Sequence, residues 1–148
     1  MMVSTPARRP VKACPEARGR GATAPHLRLG RAAEEAAARF LQTQGAQVLL
    51  RNYRCRCGEL DIVARCGEEL ALVEVRTRSS QAFGGAAASV DAGKRRRLTR
   101  AAARLLQERP DLARLRVRFD VMAVKDPLGT APRIEWIRHA FSCAPYRI

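Results

Sequence analysis

The sequence predicts an α/β domain with the order helix, three strands, helix, then one or two strands. Three observations carry this: two segments of helical period, at 29–44 and 90–109, period-two alternation between and after them, and a length of 148 residues, which gives room for one core rather than two.

The first helix is expected over Leu29–Gln44. Strong helix formers dominate there, Ala33, Ala36, Ala37, Phe40 and Leu41 recur on one face, and Gly45 stops it. Apolar, strand-favouring runs follow at Gln47–Arg54, Glu59–Arg65 and Leu70–Arg78, the last two separated by Cys66-Gly67-Glu68-Glu69, so an antiparallel meander is expected. After a Gly84-Gly85 loop, Val90–Arg109 places Leu98, Ala101, Ala102, Leu105 and Leu106 on one side and spreads Lys94, Arg96, Arg97, Arg100 and Arg104 over the rest; Pro110 ends it. Arg116–Lys125 alternates through Val117, Phe119, Val121 and Ala123, and Arg133–Ile137 makes a last short strand. Residues 1–27 hold four prolines, five Lys/Arg and one acid without an apolar period, and read as a flexible basic arm. The prolines and the lack of an amphipathic helix argue against an organelle transit peptide. Residues 28–142 form the single domain and 143–148 a short tail.

Lys and Arg outnumber Asp and Glu by 28 to 14, a net charge of +14 that points to a polyanionic partner. Nucleic acid is favoured over an acidic membrane surface, because no lipidation motif or long apolar segment appears. A basic bias in an Ala- and Arg-rich proteome is the bland alternative. The five cysteines, Cys14, Cys55, Cys57, Cys66 and Cys143, are odd in number and follow no secretory signal, so reduced thiols in a cytoplasmic protein are expected. Cys55-x-Cys57 with Cys66 lacks the two separated pairs of structural zinc; one strand face explains the spacing. Tyr53, Trp136 and Tyr146 are too scattered for a base-stacking platform, and Trp136 and Phe119 read as core.

The chemistry concentrates in the second and third strands. Strict alternation points Leu60, Ile62 and Ala64 one way and Glu59, Asp61 and Val63 the other, while Leu72, Glu74 and Arg76 share a face. A turn centred between Gly67 and Glu68 sets Asp61 opposite Glu74 and Glu59 opposite Arg76. Directly opposed carboxylates, with Cβ atoms roughly 4.5–5.5 Å apart, repel unless a proton or cation lies between them. A hard ion such as Mg²⁺ or Mn²⁺ would convert that repulsion into a site. The plainer reading is two solvated acids on a wet sheet face. For Glu59 and Arg76 it is a cross-strand salt bridge.

A helix bearing Glu34, then GELD with Asp61, then VEVR with Glu74 and Arg76, resembles the PD-(D/E)XK nuclease pattern, whose core is an α-β-β-β-α-β restriction-endonuclease-like fold with a mixed central sheet. More closely, the chain from about Gly30 to Phe141 resembles the YraN family of uncharacterised bacterial proteins. The matching stretches are Gly30 with Glu34 and Ala37, GELD at Gly58–Asp61, VEVRTR at Val73–Arg78, FGGAAASV at Phe83–Val90, Lys94, RFDV at Arg118–Val121 and Glu135-Trp136-Ile137. The superfamily resemblance implies that Asp61 and Glu74 hold a metal, with Glu34 as a third acid, although a solvated helix residue is the plainer reading of Glu34. A lysine usually stands where this chain has Arg76. Arginine stays protonated and cannot be a general base, so Arg76 is assigned charge stabilisation and water activation falls to the metal.

Lys94, Arg96, Arg97 and Arg100 are expected to meet phosphates, Lys94 being equally readable as one more exposed charge. The function expected is a Mg²⁺- or Mn²⁺-dependent endonuclease acting on DNA, branched structures included. A noncatalytic nucleic-acid-binding protein on the same fold is the alternative, and an interaction adaptor the third. The sequence leaves the oligomeric state open and is compatible with a homodimer.

Overall fold

The computed structural model describes residues 24–78 and 90–142. The Gly84-Gly85 loop, most of the FGGAAASV stretch, residues 1–23 of the basic arm, Cys14, Cys143 and the tail lie outside the described residues.

Helix α1 spans Pro25–Thr43, followed by strands β1 (Gln47–Cys55), β2 (Gly58–Cys66) and β3 (Glu69–Arg78), helix α2 (Ala92–Glu108), a 3-10 turn at Leu112–Arg114, and strands β4 (Arg116–Lys125) and β5 (Arg133–Phe141). The helix begins four residues before the expected Leu29, inside the segment read as an arm. Pro25 sits at its start, where a fixed φ and a missing N–H cost nothing. Strand β5 runs four residues past Ile137, because Phe141 stacks on Phe119 with ring centroids 4.9 Å apart.

The five strands form one sheet in the order β1-β2-β3-β4-β5. All neighbours are antiparallel except β3 and β4, which are parallel and are joined by the crossover that contains α2. The sheet is therefore mixed, as expected. Each face carries one helix. Leu98, Ala101, Ala102 and Leu105 of α2 pack on Leu72, Phe119 and Val121. Ala33, Ala37 and Leu41 of α1 pack on Ile62, Val73, Met122 and Val124. The alanine face of α1 lets its backbone lie close to the sheet. Among the described residues no helix is long and apolar enough to cross a membrane.

Strict alternation fails within β2. Leu60 and Ile62, expected on one face, are split: Leu60 joins Val63 under α2, while Ile62 and Ala64 lie under α1. The reversal falls at Asp61. Beside it on β1, Asn52 has φ +52°, a left-handed backbone that lets the hairpin twist sharply there.

Candidate active site

Strands β2 and β3 pair from Cys66–Glu69 to Ile62–Val73, and every pair sums to the expected 135. The ladder stops one step short of Asp61 and Glu74. Beyond it β2 pairs only with β1, as far as Cys55–Gly58, and β3 only with β4, as far as Arg78–Lys125. The sheet forks, with the two acids at its base. The Asp61 carboxylate bridges the gap by accepting a hydrogen bond from the Val75 N–H at 2.9 Å. A backbone donor freed by the parting strands is thus satisfied by a side chain.

Both acids are buried, Asp61 at 9 % and Glu74 at 5 % exposure, which rules out the plainer reading of two solvated carboxylates. Burial, and then the charge of Glu74 close by, push the Asp61 carboxyl up to about 7. The two carboxyls are close enough that the charge of Glu74 disfavours ionisation of Asp61. Glu74 Oε1 lies 3.2 Å from Lys94 Nζ and 3.4 Å from Arg76 Nε. Glu74 Oε2 is buried without a hydrogen-bond partner among the described residues. Arg76 therefore turns to Glu74 on its own strand. The expected Glu59–Arg76 bridge does not form, since at that level β2 faces β1 and Glu59 pairs with Arg54 at 3.3 Å instead.

Glu34 and its neighbour Glu35 are indistinguishable in the sequence but not in the fold. Glu35 is held by Arg39 at 3.0 Å and Arg51 at 2.8 Å, which keep its carboxyl below the ordinary range. Glu34 is half-buried, and burial raises its carboxyl, offset in part by a hydrogen bond with Asn52 and the charge of Arg51. Its field reaches Asp61. It does not complete a ligand set, because no three His, Cys, Asp or Glu among the described residues converge to hold a metal. The assembled donors are two: Asp61 and Glu74.

The four cations of α2 expected to meet phosphates divide. Lys94 faces inward to Glu74, positioned by Asp91, whose side chain caps the helix by accepting the Lys94 N–H at 2.8 Å. Arg96, Arg97 and Arg100 stay exposed. Lys94 is thus part of the acid site rather than one more surface charge. Burial and capping fixed that choice, and helical spacing carries no signal for it.

One polar cluster escaped sequence reasoning. Asp120, 1 % exposed, accepts from Arg118 Nε at 3.2 Å, Trp136 Nε1 at 2.9 Å and the His139 backbone N–H at 3.0 Å. Arg118 also pairs with Glu69, and His139 Nε2 lies 3.7 Å from Glu69. The RFDV stretch was visible as a motif, but nothing in it showed that both faces of β4 are covered. Trp136, read as plain core, is half-buried and gives its N–H to this network.

The model of the uncharacterised protein family UPF0102 matches residues 33–124. A UPF0102 protein of Alkalilimnicola ehrlichii is 46 % identical over 121 residues, 82 % of this chain and 92 % of the relative. One from Frankia casuarinae is 50 % identical over 113 residues, covering 76 % and 95 %. One from Bordetella parapertussis is 47 % identical over 142 residues, covering 91 % and 75 %. The matched span runs from the middle of α1 nearly to the end of β4 and takes in Glu34, Asp61, Glu74, Arg76 and Lys94. The chain belongs to the uncharacterised protein family UPF0102, the bacterial family that the sequence resemblance named as YraN.

Proposed function

We propose that this protein is a Mg²⁺- or Mn²⁺-dependent phosphodiesterase that acts on nucleic acid, DNA foremost, in the bacterial cytoplasm. The observation that carries the reading is the fork: two buried carboxylates side by side, one with an oxygen that no group among the described residues satisfies. A buried like-charge pair is costly unless a proton or a cation neutralises it. The donor set is hard oxygen, which suits a small divalent ion that keeps several waters and needs only one or two carboxylates. The element order and the mixed sheet support the resemblance to the PD-(D/E)XK nucleases, which implies a restriction-endonuclease-like core.

In this reading Asp61 and Glu74 hold the cation, and the Val75 N–H fixes the Asp61 carboxylate so that one oxygen faces the site. When bound, the cation supplies Lewis acidity toward a phosphoryl oxygen and a lowered pKa for water. Arg76 and Lys94 place two positive groups beside Glu74, where charge develops at phosphorus. Their chemistry differs. A guanidinium keeps its proton, whereas an ammonium can release one. Lys94 thus brings from a helix the amine side chain that the superfamily pattern places at Arg76.

The test is a Mn²⁺ titration with plasmid and branched DNA. Wild type should cut and Asp61→Asn should not. Mg²⁺ at pH 8 should raise the thermal midpoint of wild type and leave that of Asp61→Asn unchanged. Cleavage that survives Asp61→Asn overturns the assignment.

A second reading rests on the same contacts: Lys94 and Arg76 already neutralise Glu74 Oε1, as they would in a noncatalytic nucleic-acid-binding protein. It is favoured by salt-sensitive binding indifferent to EDTA with no products under either metal.

A further inference from the structure

The β1–β2 hairpin turns over Arg56 and Cys57, and Gly58 then leaves the turn at φ +155°. A Cβ on Gly58 would lie 3.1 Å from the Arg97 carbonyl oxygen, so the hairpin and the first turns of α2 meet backbone to backbone. Between them lies a cavity of about 430 Å³ that is open to solvent. Its walls carry Arg54, Arg56, Lys94 and Arg97, with Glu59 as their one acid. Two of these cations are committed, Arg54 to Glu59 and Lys94 to Glu74. Arg56 and Arg97 have no ion-pair partner within 4 Å among the described residues. Two unpaired guanidiniums facing one cavity, on segments fixed by a backbone contact, form an anion site whose planar donors match phosphate oxygens. The cavity also adjoins the acid pair, because Lys94 lines it and touches Glu74.

We propose that this cavity is a phosphodiester subsite, in which Arg56 and Arg97 seat a backbone phosphate of the nucleic acid next to the one presented to Asp61 and Glu74. The assignment rests on the reading of nucleic acid as the substrate. It adds the β1–β2 turn, which the charge pattern of α2 does not reveal, as the second wall of the groove. A strand held there runs from the hairpin across Lys94 to the fork.

The experiment measures binding of a fluorescent DNA duplex and a branched DNA by the full chain, in EDTA, across a range of salt. R56Q/R97Q is compared with R114Q/R133Q, which removes the same charge from exposed positions outside the cavity. The cavity pair should lose at least about ten-fold more affinity than the control pair and should flatten the slope of log K against log salt by about 1–2. R56K/R97K should keep the slope and recover only part of the affinity, because an ammonium lacks the planar fork. Cys57, exposed on the cavity wall, serves as reporter: duplex should protect it from alkylation in wild type and not in R56Q/R97Q, read by peptide mass.

Equal losses in the two pairs, or alkylation of Cys57 indifferent to DNA, overturn the subsite. Displacement of the duplex by inorganic phosphate or a nucleoside monophosphate, beyond the effect of chloride at equal ionic strength, assigns the cavity to a small phosphate and overturns the nucleic-acid form. Because binding is read without metal, cavity-dependent binding with no cleavage under Mn²⁺ upholds the subsite while removing the catalytic reading.

Discussion

Two aspartates lie buried in this sheet, and their surroundings are opposite. Asp120 receives three donors, from Arg118, Trp136 and the His139 backbone, so both of its oxygens are satisfied. Asp61 receives one donor, from Val75, and shares its space with a second acid whose outer oxygen has none. Both oxygens of Asp120 are satisfied without a ligand, although Arg118 Nη2 beside it is buried without a partner among the described residues, whereas the second cluster brings two like charges together and leaves a carboxylate oxygen unpartnered. A buried carboxylate with a full donor set holds a fold together, whereas one that lacks donors and faces its own kind marks a place where something binds.

The largest test of that contrast is Asp120→Ala. It removes one of the two carboxylates that hold the buried Arg118 guanidinium, leaving Glu69 alone, and frees His139, whose φ of +50° is held in part by its N–H bond to Asp120. A loss of about 3–5 kcal/mol in chemical denaturation is expected. A loss below about 1 kcal/mol would show that the two clusters do not differ in kind.

Asp61→Asn should act in the other direction. The folded-state pKa of Asp61 lies above its ordinary carboxylate value, so the folded chain binds more protons than the unfolded chain between about pH 4 and pH 7. Stability is then present below pH 4 and falls as pH rises through 7, with a slope of up to about 1.4 kcal/mol per pH unit. The raised Glu34 carboxyl adds to the fall with the same sign. Asparagine at position 61 should flatten the slope and leave the variant at least as stable as wild type at pH 8, as followed by urea unfolding at several pH values. A slope unchanged in the variant would place the excess proton elsewhere.

The smallest effect is expected outside both clusters. Arg39 pairs with Glu35 on the exposed face of α1, where Arg51 still holds Glu35 after truncation. Arg39→Ala should therefore change the thermal unfolding free energy by less than about 0.5 kcal/mol.

The same contrast explains what the sequence could disclose. Periodicity marked every helix and strand, and turn chemistry at Gly67-Glu68 gave the β2–β3 register that the ladder keeps from Cys66 to Ile62. Register alone brought Asp61 to Glu74. It did not disclose the fork, because alternation assumes a regular strand, and the reversal at Asp61 depends on the left-handed backbone of Asn52 across the hairpin. The Asp120 cluster stayed hidden for a related reason. Alternation separates two faces of a strand but not whether both are covered, and Arg118 and Asp120 looked like the wet side of β4. The inward turn of Lys94 depends on the Asp91 cap and the depth of Glu74, which are tertiary facts.

The parallel pairing of β3 with β4 also sets an order of assembly. The three-strand meander closes through short turns, but Glu69 and Arg118 stand 49 residues apart in the chain, and Lys94, one of the two cations of the acid site, arrives on the crossover between those strands. Loop closure over such a distance is slow compared with hairpin formation. During folding, Asp61 and Glu74 therefore come together before Lys94 reaches them. Until α2 docks, the cation beside Glu74 is Arg76 of its own strand, and the docking of α2 adds Lys94 as the second.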